Sequence, residues 1–413
     1  MTTVAASVPV LRWAAQRARL SDDEISARFI KWPLWLSGQA HPTLKQLEDF
    51  ARLTHTAIGY FFLPQPPALV LPVPDFRTLR DAALPEPSSN LLDTLYLCQQ
   101  RQDWYLNHAR IHALPVLPFV GSANVQEAPV AVAHRLREQL GLSADARRQS
   151  PTWTDALRDL IAKAEDAGVM VMVSSVVGSN SHRKLDVGEF RGFALADSLA
   201  PLVFLNGADS KAAQMFTLAH ELAHIWLGAT GVSDTQAGQV PEQQTERWCN
   251  QVAAELLMPM DGLRATYQAN AAIADEIQRL AREFKVSTLV ALRRLFDAGY
   301  ISQAVLWQQY RDEQERLRTL KESKNSSGGD FYRSLGARTS KRFARAIVSS
   351  TLEGQTLFQE AFRMLGLRKS VPRAAYEPVA GEVLLVDTPG VTSDSPAAFP
   401  YQRRRRPLYP LEG

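Results

Sequence analysis

Between Met215 and Gly228 the chain reads MFTLAHELAHIWLG, an apolar segment that holds His220, Glu221 and His224. No other stretch constrains the fold as much. Residues this greasy ask for a buried helix, and a buried helix tolerates polar groups only where partners meet them. The i, i+4 spacing sends both imidazoles out of one side of the helix, one turn apart. Two ligands on one tetrahedral zinc, each at about 2.0–2.1 Å, need that arrangement. Glu221 stands beside the first histidine, where a carboxylate reaches a zinc-activated water as general base. With 8 histidines in 413 residues, chance supplies such a motif on the order of 0.01 times per chain.

A catalytic zinc takes a third protein ligand and keeps one position open. After His224 comes IWLGATGVSD, without a third histidine, so a carboxylate from a later helix is expected. Glu242, Glu246 and Glu255 are the candidates. Glu246 leads, because Asn250 lies one turn on and can orient its carboxylate. Glu242 sits near a helix start, where a glutamate commonly just offsets the dipole. Glu255, beside LLMP, reads equally well as a buried structural acid.

The surroundings suggest an α+β fold, mostly helical. TWTDALRDLIAKAEDAG is a capped helix closed by Gly168, and VMVMV, FRGFAL (190–195) and PLVFLN (201–206) are β-rich runs before the HELAH helix. EQQTERWCNQVAAELLMP is the helix after it, stopped by Pro259. Strands feeding two helices define a central α+β unit at 151–265. Before it, residues 1–66 are helical and compact, with a capping box at Ser21 and Glu24 and a cap at Thr43. Residues 67–150 form a proline-rich linker, extended at PQPPALVLPVPDF, then helices at 90–114 and 127–141. Residues 266–322 extend the helical part, with ESKNSSGGD (322–330) as a flexible linker. One or two amphipathic helices fall in 323–376, and 377–413 reads as a disordered tail.

The bulk numbers exclude some classes. The net charge is +3, and Arg403–Arg406 alone carry four positives, so no broad polyphosphate-binding surface is indicated. Two distant cysteines, Cys98 and Cys249, fit a reducing compartment. The longest apolar run, at 168–178, is too short to span a bilayer. A cytoplasmic protein without membrane contact is expected.

FTLAHELAH followed by ERWCNQVAAELLMP resembles the ImmA/IrrE metallopeptidases, in which HExxH is followed by a glutamate four residues before an Asn-x-x-Ala helix ending in Leu-Met-Pro. NGADSKAAQMFTL, PVPDFRT (72–78) and GGDFYRSLGARTSKRFARAIVSSTLEGQTLFQEAFRMLG resemble stretches of that family's long members. The resemblance implies a zincin-like core with Zn2+ held by His220, His224 and Glu246, and with Glu221 as base. It implies an endopeptidase acting on a regulatory protein, a repressor or a toxin. Long members are often encoded beside a PIN-domain-like toxin, so an antitoxin or repressor role with little proteolysis is the alternative.

LSDDEISARFIKWPLWLSGQAHPTLKQLEDFARLT resembles an XRE-type helix-turn-helix domain, which makes operator DNA a candidate partner. The would-be reading helix, IKWPLWLSGQ, contains a proline and offers only Lys31, Ser37 and Gln39 as polar readers, whereas base edges call for Arg, Asn or Gln. Weak DNA binding is expected, with protein contacts as the rival use. Trp32 and Trp35 read as core.

Overall fold

A computed structural model of the chain describes residues 2–68, 71–75, 86–233, 243–322 and 337–367. Glu242, the ESKNSSGGD stretch after Glu322 and the tail lie outside them. The described fold is α+β and mostly helical, as the sequence suggests. No helix among these residues is long and apolar enough to cross a membrane.

The N-terminal bundle consists of α1 (Val8–Arg17), α2 (Asp22–Arg28), α3 (Trp32–Leu36), α4 (Leu44–Thr54) and a 3-10 turn at Ile58–Phe62. The Ser21–Glu24 capping box forms, and Thr43 makes a second one with Gln46. Trp32, Trp35, Phe50 and Phe61 fill the core of this bundle, with Trp32 stacked on Phe50 at 5.1 Å. The two tryptophans are thus core, as expected.

The middle of the chain builds α5 (Ser89–Ile111), α6 (Pro129–Gln139), α7 (Ala144–Gln149) and α8 (Trp153–Asp166). The strands are β1 (Met170–Ser174), β2 (Val176–Val177), β3 (Asn180–Lys184), β4 (Gly192–Leu195), β5 (Leu202–Asn206) and β6 (Gly231–Ser233). The main sheet runs β1-β5-β4-β6. β1 is parallel to β5 with Met170 opposite Leu202, and β4 is antiparallel to both β5 and β6. All five residues of β5 are buried, as a strand covered on both faces requires.

The sequence misses two features here. The β2–β3 hairpin falls on a segment read as a loop, because β3 is NSHRK, polar and mostly exposed, and shows no alternation. β6 is only three residues long. The proline-rich stretch also does more than link: Val232 N–H donates to Pro74 O at 3.0 Å, so that Asp75 bridges in parallel to the β6 edge.

α9 (Lys211–Leu227) starts at Ser210, whose hydroxyl accepts from Ala213 N–H, and ends at Gly228 in the left-handed region. Every residue from Gln214 to Trp226 is buried. α9 packs on α8, β4 and β5 on one side and on α10 (Gln244–Leu257) on the other. α11 (Met260–Thr266), α12 (Ile273–Phe284), α13 (Thr288–Asp297) and α14 (Gln303–Glu322) follow.

The C-terminal pair, α15 (Lys341–Leu352) and α16 (Phe358–Leu365), packs with α5 and β1. Two buried charges hold it there. Arg101 donates from Nε to Met364 O at 2.9 Å and from Nη1 to Arg338 O at 3.0 Å. Glu165 accepts from Ser340 Oγ at 2.5 Å and from Lys341 N–H at 2.8 Å. Without this pair, both charges would lose partners that buried charges require.

Candidate metal centre

Each of the three polar residues of the HELAH motif is at most 1% exposed. Glu246, in the first turn of α10, is 2% exposed and closes on the two histidines. Its Oε1 lies 2.9 Å from His224 Nε2 and its Oε2 3.2 Å from His220 Nε2. The two Nε2 atoms are 3.0 Å apart. His220, His224 and Glu246 are the one group among the described residues whose ligand atoms converge on a possible ion, all within 4.8 Å of one another.

The donor chemistry of this cluster fits a cation. Asn250 Oδ1 lies 3.0 Å from His220 Nδ1. An amide oxygen only accepts, so the His220 proton sits on Nδ1 and its Nε2 turns a lone pair toward the cluster. Asn250 therefore orients His220, and not the Glu246 carboxylate as the sequence suggested, because α10 packs it against the histidine ring. A carboxylate and an imidazole lone pair that face each other in a dry site share no proton. A divalent ion with N and O preferences matches such a set.

The electrostatics also call for positive charge at this point. Burial raises the Glu246 carboxyl, and positive charge placed on His220 and His224 outweighs burial and holds the group at about 2, as a bound cation would. Burial pulls the His224 pKa down, against the pull of Glu246. The Glu221 carboxyl goes the other way: burial raises it well above its ordinary value, Glu246 raises it further, and Ser233 lowers it. Neither Glu221 oxygen has a hydrogen-bond partner of normal geometry. A buried carboxyl with raised pKa and no fixed partner suits a group that must take up and release a proton.

The sequence did not single out Gly192 or Ser233. A Cβ on Gly192 would stand 2.6 Å from Thr217 Cγ2, 2.9 Å from Phe204 O and 3.1 Å from Glu221 Oε1. Glycine thus lets β4 approach α9 at the catalytic candidate. The signal was there: a glycine inside the strand-like FRGFAL marks a close backbone approach.

The other named residues fall elsewhere. Glu255 is buried, paired with Arg294 and 3.7 Å from an Arg137 nitrogen, so it is the structural acid of the two readings. Cys249 is fully buried, and burial drives its thiol well up, with Glu246 and Glu221 adding to the rise. Lys31 stands at the N-cap of α3, Ser37 at its C-cap and Gln39 beyond it, all exposed. α3 itself has five residues and shows Pro33 and Leu34 to solvent.

Comparison with known families bears on the same region. No curated protein matches the chain. Residues 339–371, which include α15 and α16, match a domain of unknown function (DUF8813). Residues 164–296 match the family model of the IrrE N-terminal-like domain, Peptidase_M78. The match covers less than half of the chain, and within it lie both histidines, Glu221, Glu246 and Asn250: the part that builds the candidate metal centre is similar to a peptidase domain.

Proposed function

We propose that the protein is a zinc-dependent endopeptidase that acts on a regulatory protein, a repressor or a toxin, in a reducing, cytoplasmic setting. The observation that carries this reading is the buried convergence of His220, His224 and Glu246 beside an unpartnered Glu221. His220, His224 and Glu246 would hold the zinc. When bound, zinc supplies Lewis acidity to a water and to a peptide carbonyl. Asn250 fixes the His220 ring and its tautomer. Glu221 takes the water's proton on a carboxylate oxygen and delivers it to the leaving amine. Burial and the Glu246 charge favour the protonated state that this delivery needs.

The N-terminal bundle would serve as a helix-turn-helix-like targeting module. Ile30 is 88% exposed and Leu34 40%, on and just before α3, where a DNA reader carries polar side chains. Those apolar residues favour a protein partner, such as a PIN-domain-like toxin, over operator DNA read through Lys31, Ser37 and Gln39. An antitoxin-like binder with little proteolysis is therefore the second reading.

Glu221→Gln separates the two. It should keep fold and metal yet lower cleavage by about 10²–10⁴-fold. The measurement is co-expression with the neighbouring gene's product, following that product's integrity and cell growth. Equal neutralisation by both forms without cleavage would sink the peptidase reading for that partner.

A further inference from the structure

A cleft of about 370 Å³ opens where the N-terminal bundle meets β3 and the start of α5, away from the HELAH helix. The bundle contributes Arg17, Arg28, Arg52 and His55 to its walls, and β3 contributes Arg183 and Lys184. Two carboxylates also line it, Asp186 and Glu189, and both are already matched. Arg19 pairs with Asp186 and, at 3.2 Å, with Glu189. Glu189 also accepts from Ser88 N–H at 2.8 Å and Ser88 Oγ at 2.7 Å at the N-terminus of α5.

Positive charge is left over. Arg183 reaches Asp93 at 2.7 Å, and Arg52 is only loosely paired, at 3.6–3.8 Å, with Asp49 and Glu48 on its own helix. Arg28 and Lys184 form no ion pair within 4 Å with any described residue. Arg17 forms none either, though it lies over the Trp13 ring at 5.2 Å and feels Asp93 and Glu86 at longer range. Arg17 Nε is buried without a hydrogen-bond partner. Helix dipoles explain part of this, since Arg17, Arg28 and Arg52 each sit in a helix's last turn. They do not explain why three helix ends converge on one concavity, nor why a strand brings Arg183 and Lys184 to its far wall.

We propose that this cleft binds a small ligand with two or three linked phosphates, of nucleoside polyphosphate size, with Arg17, Arg28 and Lys184 facing the phosphates. The guanidinium fork matches phosphate oxygens two at a time, and a concave low-dielectric wall concentrates the field. The volume falls within the range of small-molecule sites, about 300–1,000 Å³. No Phe, Tyr or Trp lines the cleft, so it lacks the stacking platforms of a single-strand groove. The specificity is for phosphate.

Titration calorimetry on the full chain at low salt tests this, with tripolyphosphate, ATP, GTP and inorganic phosphate as probes. One saturable site is expected for tripolyphosphate and the nucleotides, weaker for inorganic phosphate. Arg28→Glu and Lys184→Glu alter exposed side chains, so both should keep the wild-type melting temperature. Each should weaken tripolyphosphate binding by about 10-fold or more. The matching alanine variants should weaken it less, in the same direction. Nucleotides binding much tighter than tripolyphosphate would add a base contact to the site. Three results would overturn the proposal: no saturable binding, unchanged affinity in both glutamate variants, or a short DNA duplex that binds and is not displaced by tripolyphosphate.

Discussion

Helix α10 carries a buried glutamate near each end, and the two ends do different things. Glu246 is 2% exposed and Glu255 is 6% exposed, so burial does not distinguish them. Their partners do. Glu255 faces the guanidinium groups of Arg294, which donates to its carboxylate, and of Arg137, which donates to its backbone carbonyl and lies 3.7 Å from the carboxylate; both are always protonated. Glu246 faces two imidazoles, one with its proton turned away toward Asn250. The Glu255 end is a closed ion pair; the Glu246 end is a set of electron pairs in want of a cation. A buried acid thus marks a metal site only when the groups around it bring lone pairs and not protons.

The largest effect that would break this contrast is on metal content. Glu246→Gln should weaken zinc binding by more than the roughly 10–100-fold that losing an outer partner costs, while Glu255→Gln leaves it unchanged. Glu255→Gln should instead lower stability by about 3–5 kcal/mol, because it strands buried arginine charge. Elemental analysis and thermal unfolding of the two variants read both effects. If Glu255→Gln is the one that loses metal, the two ends have been assigned the wrong way round.

Asn250→Ala should cost about 10–100-fold in zinc affinity, since it frees the His220 ring and tautomer without removing a ligand. Competition with a chelator measures it, and wild-type affinity would show that packing alone sets the ring. Gly192→Ala should destabilise by about 1–3 kcal/mol through overpacking against Thr217 and Phe204 O. Denaturant unfolding checks this, and a neutral result would mean that β4 has room to shift off α9.

The smallest effect is in the metal-free protein's response to pH. The folded Glu246 value, about 2, lies below its ordinary 4.5. Its contribution is present above 4.5 and is lost as pH falls toward 2. Glu221 is raised, so its contribution is present below 4.5 and is lost as pH rises through its folded value. Glu221→Gln should therefore stabilise the apo protein at neutral pH relative to wild type, with the gain fading in acid. Urea unfolding of chelator-treated protein between these limits would show parallel curves if burial leaves Glu221 unaffected.

Local pattern carried the HELAH helix, the caps at Ser21 and Thr43, the strands β1, β4 and β5, and the helices that follow, because each rests on periodicity or on contacts within a few residues. The histidine pair was legible for the same reason: one helical turn fixes the spacing of its ligands. The residues themselves narrowed the third ligand to three glutamates with Glu246 leading, and the packing of α10 on α9 is what brings Glu246 to the histidines. Asn250 was noticed from its position one turn from Glu246, yet its true partner, His220, lies 30 residues back in sequence.

What lay beyond the sequence depends on pairs far apart in the chain. The β2–β3 hairpin has no apolar face to announce it, and β6 is too short to show a period. Pro74 docks on β6 across more than 150 residues, and Arg101 and Glu165 hold backbone or side-chain groups of the C-terminal segment. The basic cleft gathers Arg17, Arg28, Arg52 and Lys184 from four separate elements, in a chain whose net charge of +3 argued against a broad polyphosphate surface. The sequence determined which helices form and which residues within a turn share a face, since backbone hydrogen bonds and side-chain spacing are local. Only the tertiary structure decided which buried acid meets histidine and which meets arginine, because that choice belongs to the packing of one helix against its neighbours.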